Sequence, residues 1–104
     1  MTIQINSDNN ITGTEELSNF VESTIADGLK RFDNYITRVE VHLTDENSHK
    51  SGSDDKRCVL EARLEGMQPI AVTAFGDTIH VALKDALGKL KSSLDTTLGR
   101  LQNH

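Results

Sequence analysis

Tryptophan is missing from this chain, proline and cysteine occur once each (Pro69 and Cys58), and aromatic residues make up 4% of it. Each scarcity excludes something. A core with so few rings has to be built from Leu, Ile, Val and Ala. A lone cysteine cannot close an internal disulfide, which suits a reducing compartment. A lone proline leaves long stretches free to run as uninterrupted helix or strand. No apolar run approaches the ~18 residues of a membrane span, and the opening MTIQINSDNN lacks the cationic and apolar regions of a signal peptide. The expectation is a cytoplasmic protein with no membrane partner. Cations are also short: 11 Lys and Arg stand against 16 Asp and Glu, for a formal charge of −5. That balance argues against generic nucleic-acid binding, which needs clustered cations to release counterions. It leaves room for a local basic patch, because the charge is uneven. Residues 1–55 carry four Lys and Arg against eleven Asp and Glu, whereas residues 56–104 carry seven against five.

Signs of enzyme chemistry are equally sparse. Neither a Gly-rich phosphate loop nor a dinucleotide-binding pattern occurs. His49, Asp54 and Asp55 share one polar loop and could hold a cation weakly, but a solvated loop explains them better. His42 and His80 have no carboxylate at a fixed orienting distance in sequence. Cys58 alternates with Leu60 and Ala62 and reads as a small core residue. No catalytic constellation emerges, so the expectation is a non-enzyme with no cofactor, no metal and no small-molecule substrate.

What is present is clear periodicity, enough for one domain over residues 1–104. Thr2 to Asn6 alternates as a short strand. Thr12 with Glu15 offers a capping box, and Thr14 an alternative N-cap, for a helix that runs to about Phe32. Its apolar face is Leu17, Phe20, Val21, Thr24, Ile25, Leu29 and Phe32. Ile36 to Thr44 reads as a strand with Val39, Val41 and Leu43 inward; residues 45–56 read as a polar hairpin loop. Arg57 to Glu65 alternates most cleanly, and Gln68 to Ala74 returns, with Pro69 marking an edge or bulge. On the polar sheet face, Arg38 with Glu40 and Glu61 with Arg63 suggest cross-strand ion pairs. The last helix spans Asp77 to Leu101, with Asp77 as N-cap and an apolar stripe from Ile79 through Leu83, Leu87, Leu90 and Leu94 to Leu98. At about 100° per residue, Lys84 and Lys91 fall on one shoulder of that stripe, Lys89 and Arg100 on the other. Two readings fit these cations: a surface offered to an anionic partner, or lysines that snorkel and keep the helix soluble. The order β-α-β-β-β-α, with each middle strand apolar on one face, predicts an α+β two-layer sandwich: a four-stranded mixed sheet with two helices on one face.

The stretch KRCVLEARLEGMQPIAV (56–72), a capped helix containing ALKDALGKLKSSL (82–94), and the Arg-Val-x-Val-x-Leu strand at 38–43 resemble the ribosome hibernation-promoting factor and ribosome-associated inhibitor family. Some of its members have been called sigma-54 modulation proteins. The resemblance runs over essentially the whole chain. It implies a fold similar to double-stranded RNA-binding domains, a seat on the small ribosomal subunit, and inhibition of translation in stasis or stress. It also implies that Lys30, Arg31, Lys84, Lys89, Lys91 and Arg100 contact ribosomal RNA, as phosphate positioners rather than base readers. Two departures stand out. The dense basic run expected late in the second helix is interrupted by Ser92, Ser93, Asp95, Thr96 and Thr97, and the Asp-x-Tyr start common for that helix reads Asp77-Thr78-Ile79-His80. The acidic first half and thinned cations leave an alternative: a protein-binding adaptor of the same fold that no longer holds RNA.

Overall fold

A computed structural model describes residues 1–8, 14–46 and 55–102, with the side chains of residues 100–102 outside the description. The first strand, β1 (Thr2–Ser7), is followed by helix α1 (Glu15–Gly28). Thr14 is the N-cap: its hydroxyl accepts from the Leu17 N–H at 3.0 Å, satisfying one of the unpaired donors of the first turn. The alternative cap, Thr12, lies outside the described residues. Sequence periodicity extends this helix to Phe32, but the α-helix stops at Gly28 and tightens into a 3-10 turn over Lys30–Phe32. Leu29 closes the helix by donating to Ile25 O at 2.9 Å, and the tighter winding carries Phe32 into the core.

Three strands follow: β2 (Ile36–Asp45), β3 (Lys56–Leu64) and β4 (Ile70–Gly76). The β2–β3 ladder runs to Asp45↔Lys56, so both ends of the expected loop belong to strands. Helix α2 (Ile79–Gln102) ends the fold. The sheet order is β1-β2-β3-β4, with β1 parallel to β2 and the other pairs antiparallel. β4 starts two residues later than expected. Gly66 turns the chain at φ 72°, and Pro69, with no N–H to donate, stays outside the ladder. The later start shortens the strand without moving its register, so Ile70 and Val72 still point inward, opposite Ala62 and Leu60.

Register stacks the inward residues in rows: Val41, Leu60 and Val72 in one, Leu43, Cys58 and Ala74 in the next. Val21, Ile25 and Leu29 from α1, and Ala82, Leu83, Ala86, Leu87, Leu90, Leu94 and Leu98 from α2, bury themselves against the same rows. Both helices therefore cover one face of the sheet, giving the two-layer sandwich. α2 lies over β3 and β4, α1 nearer β1. The helices touch where Gly28 meets Leu87; a Cβ on Gly28 would lie 2.6 Å from Leu87 Cδ2. A second tie is the Phe20–His80 ring contact at 4.3 Å. The cap of α2 is Thr78 rather than the expected Asp77: its hydroxyl accepts from Val81 N–H at 3.1 Å.

Candidate functional site

The cations divide into two populations with different surroundings. On the open face of the sheet every described arginine faces a carboxylate. Glu40 stands directly opposite Glu61, and Arg38 opposite Arg63, so the pairs expected across the strands are like-charged. The charges are satisfied along and diagonally across the strands instead. Arg63 Nε reaches Glu61 at 3.1 Å and Glu40 at 3.3 Å; Arg38 Nη2 reaches Glu40 at 3.3 Å and donates to Gln4 Oε1 at 2.7 Å. Arg57 sits 3.4 Å from Glu46, and His42 Nε2 is 3.9 Å from Glu40. At the hairpin end Lys56 lies between Asp55 at 2.9 Å and Asp45 at 3.5 Å. The hydrogen bond to Asp55 is the main cause of its raised pKa. This face has little charge left to offer a polyanion.

The helix layer differs. Lys30 and Arg31, at the end of α1, come together with Lys91 of α2 around a shallow groove that Asp27 and Gly28 complete. Gly28 permits this convergence, since its bare Cα lets α2 approach. Lys84 stands two turns before Lys91 on the same stripe of α2. The side chains of Lys30, Lys84 and Lys91 hold no hydrogen bond or ion pair among the described residues. Arg31 does. Its Nη2 lies 2.8 Å from the carboxylate of Asp95, and its guanidinium stacks 4.3 Å over the Phe32 ring. Both members of the ion pair are more than half exposed, at 61% and 51%, so it contributes at most about 1 kcal/mol to stability.

Lys89 does not join this group. It reaches over the other side of α2 and donates to the Thr73 carbonyl of edge strand β4 at 2.8 Å. That contact blunts an edge whose residues 70–76 carry no charge of their own. Arg100 lies in the last turns of α2, with its side chain outside the described residues. Of the six cations singled out in the sequence, the structure thus gathers Lys30, Arg31 and Lys91, aligns Lys84 with them, and turns Lys89 elsewhere. Sequence reasoning missed the Arg31–Asp95 pair, which joins residues 64 positions apart. The only trace of it was an acidic residue in a stretch otherwise basic or neutral.

The remaining chemical candidates have structural surroundings. Cys58 is fully buried, and desolvation pushes its thiol up to about 12. Asp55 is buried against Lys56, while His49 and Asp54 lie outside the described residues. Among the described residues no group of three His, Cys, Asp or Glu side chains is placed to hold a metal, and no helix is long and apolar enough to cross a membrane.

Residues 3–102 match the family described as sigma 54 modulation protein / S30EA ribosomal protein. No curated protein matches the sequence. Among solved structures, the N-terminal domain of Protein Y from Thermus thermophilus superposes with a TM-score of 0.69 at 19% identity, covering 93% of this chain and 99% of that one. A ribosomal subunit interface protein from Coxiella burnetii superposes with a TM-score of 0.73 at 17% identity, covering 95% and 99%. At such identities these two speak for the fold.

Proposed function

Since the chain belongs to the sigma 54 modulation protein / S30EA ribosomal protein family, we propose that it is a cytoplasmic ribosome-binding factor without catalytic activity. In this reading it seats on the small ribosomal subunit and blocks translation there, as a hibernation factor of stressed or stationary cells. The Coxiella burnetii neighbour, a ribosomal subunit interface protein, points the same way. The observation that carries the reading is the row Lys84, Lys91, Lys30 and Arg31 along the junction of α1 and α2. Three of its four members are uncommitted among the described residues, whose other arginines are tied to carboxylates. Point-charge ammonium groups on a shallow surface suit phosphates, which they position without reading bases. Lys89 retains two N–H donors beside the one given to Thr73, so with Arg100 it supplies a second, outer contact on the opposite shoulder.

A net charge of −5 opposes long-range steering toward RNA. Binding then rests on the local patch and on fit within a confined channel, and each phosphate contact adds about 0.9 to the salt slope. Co-sedimentation of the purified chain with small subunits over a salt series tests this. Lys84→Glu/Lys91→Glu should abolish binding and translation inhibition in a folded protein, and Glu16→Gln/Glu22→Gln on the acidic side of α1 should leave both intact. No association of the wild type at low salt would leave the protein-binding adaptor as the better reading. Binding lost only in Lys89→Glu/Arg100→Glu would move the interface to the other shoulder.

A further inference from the structure

The exposed stripe of α2 that carries Lys84 and Lys91 continues through Asp95, at spacings of three and four residues across Gly88. A cation at that place would extend the basic row. The carboxylate that stands there instead holds Arg31, its oxygens 2.8 Å from Nη2. The arginine is kept in position by a separate device. Its guanidinium lies over Phe32, a ring anchored in the core at 4% exposure. Removing the carboxylate therefore leaves the fork presented rather than collapsed. Asp27, the acidic residue that lines the groove itself, has no bonded partner among the described residues. Among the described residues, Asp95 is the carboxylate that ion-pairs with a cation of this surface.

We propose that Asp95 sets the affinity of the α1–α2 surface for RNA by acting as a built-in competitor for the Arg31 guanidinium. Asp95 holds the guanidinium through Nη2, so a phosphate that takes the fork with two parallel N–H bonds competes with Asp95 for that nitrogen. The displaced carboxylate stays nearby and repels the incoming backbone. The pair is more than half exposed on both sides, so exchange is fast and barely disturbs the fold. A chain built this way grips its partner less tightly, and with one phosphate contact fewer its binding depends less steeply on salt.

This inference rests on the ribosome-binding reading, and its test separates the two. Binding of the full chain to small subunits is measured over a salt series for wild type, Asp95→Asn, Asp85→Asn, Arg31→Ala and Arg31→Ala/Asp95→Asn. Asp85 is an exposed α2 carboxylate with no bonded partner among the described residues, and it controls for net charge. Asp95→Asn should bind about five- to tenfold tighter near 0.1 M salt, with a salt slope steeper by about one unit. Asp85→Asn should gain far less, and the Asp95→Asn gain should vanish without Arg31. Equal gains from the two neutralisations, or a gain that survives loss of Arg31, would overturn the proposal. The second probe is inorganic pyrophosphate, followed by NMR at the Arg31 Nε–H. Tighter pyrophosphate binding in Asp95→Asn supports the competition even if the wild type ignores ribosomes, in which case only the ribosomal reading falls. Unchanged pyrophosphate binding overturns the competition whatever the ribosome assay shows.

Discussion

Replacing Gly76 by alanine is the most demanding test of how α2 is docked. Gly76 ends β4 and is buried, and its backbone is not in the left-handed region, so the substitution carries no torsional penalty. The obstacle is steric. A Cβ there would lie 2.7 Å from Ala82 N, 2.8 Å from Val81 Cγ1 and 2.9 Å from Val81 Cβ. The valine methyl can rotate away. The Ala82 nitrogen cannot, because it is backbone in the first turn of α2 and donates to Thr78 O at 3.0 Å. Either the helix start lifts from the strand or the Thr78 cap opens. Overpacking of this kind costs about 1–3 kcal/mol, offset by roughly 0.4–1 kcal/mol from a stiffer unfolded chain. A net loss of about 1–2 kcal/mol lowers the melting temperature by roughly 5–15 °C in a domain of this size. Gly88→Ala is the counterpart. Nothing lies within 4 Å of its Cβ position, so helix propensity alone should stabilise the domain by about 0.8–1 kcal/mol and raise the melting point. Thermal melts followed by circular dichroism measure both. A Gly76→Ala protein that melts at or above the wild type would refute the close docking of α2 on the end of β4.

Leu90 is fully buried between α2 and the sheet, and Leu90→Asp should lose more than about 5 kcal/mol through the cavity and the unpaired charge together. The variant should be unfolded by circular dichroism at room temperature; a native spectrum would mean that this face of α2 does not meet the sheet. The Cys58 thiol should resist thiol reagents under native conditions and react once denatured, and rapid native labelling would contradict its burial. Its folded pKa of about 12 lies above the ordinary 9.0, so the unfolded chain releases this proton first as pH rises. Stability contributed by the neutral thiol is complete below pH 9 and declines toward about pH 12, by up to about 1.4 kcal/mol per unit. Lys56, raised above 10.5 by its Asp55 hydrogen bond, declines in the same direction at higher pH. Denaturant melts between pH 9 and 10.5 should therefore slope downward in the wild type and flatten in Cys58→Ala. His80→Ala should lose about 0.5–1 kcal/mol by deleting the ring contact with Phe20, and an unchanged denaturation midpoint would show that this tie between the helices carries no energy.

Sequence alone determined the element order, the strand faces and the membership of the core. Those depend on local periods: 3.6 residues brings Leu83, Leu87, Leu90 and Leu94 to one side of a helix, and 2 brings Cys58, Leu60 and Ala62 to one side of a strand. Because alternation does not depend on where a strand begins, the late start of β4 left its inward residues as expected. The shoulders of α2 were legible for the same reason, and they separated Lys84 and Lys91 from Lys89 and Arg100. What each shoulder meets was decided by packing. β4 runs beside one, so Lys89 is drawn to the Thr73 carbonyl; the end of α1 crosses by the other, so Lys91 meets Lys30 and Arg31. Register alone put Glu40 opposite Glu61, a pairing invisible until two strands are aligned. The Arg31–Asp95 bond belongs to the same class. Its partners sit on different elements and share no local signal. Only the approach of the helices at Gly28 and Leu87 brings them within 2.8 Å.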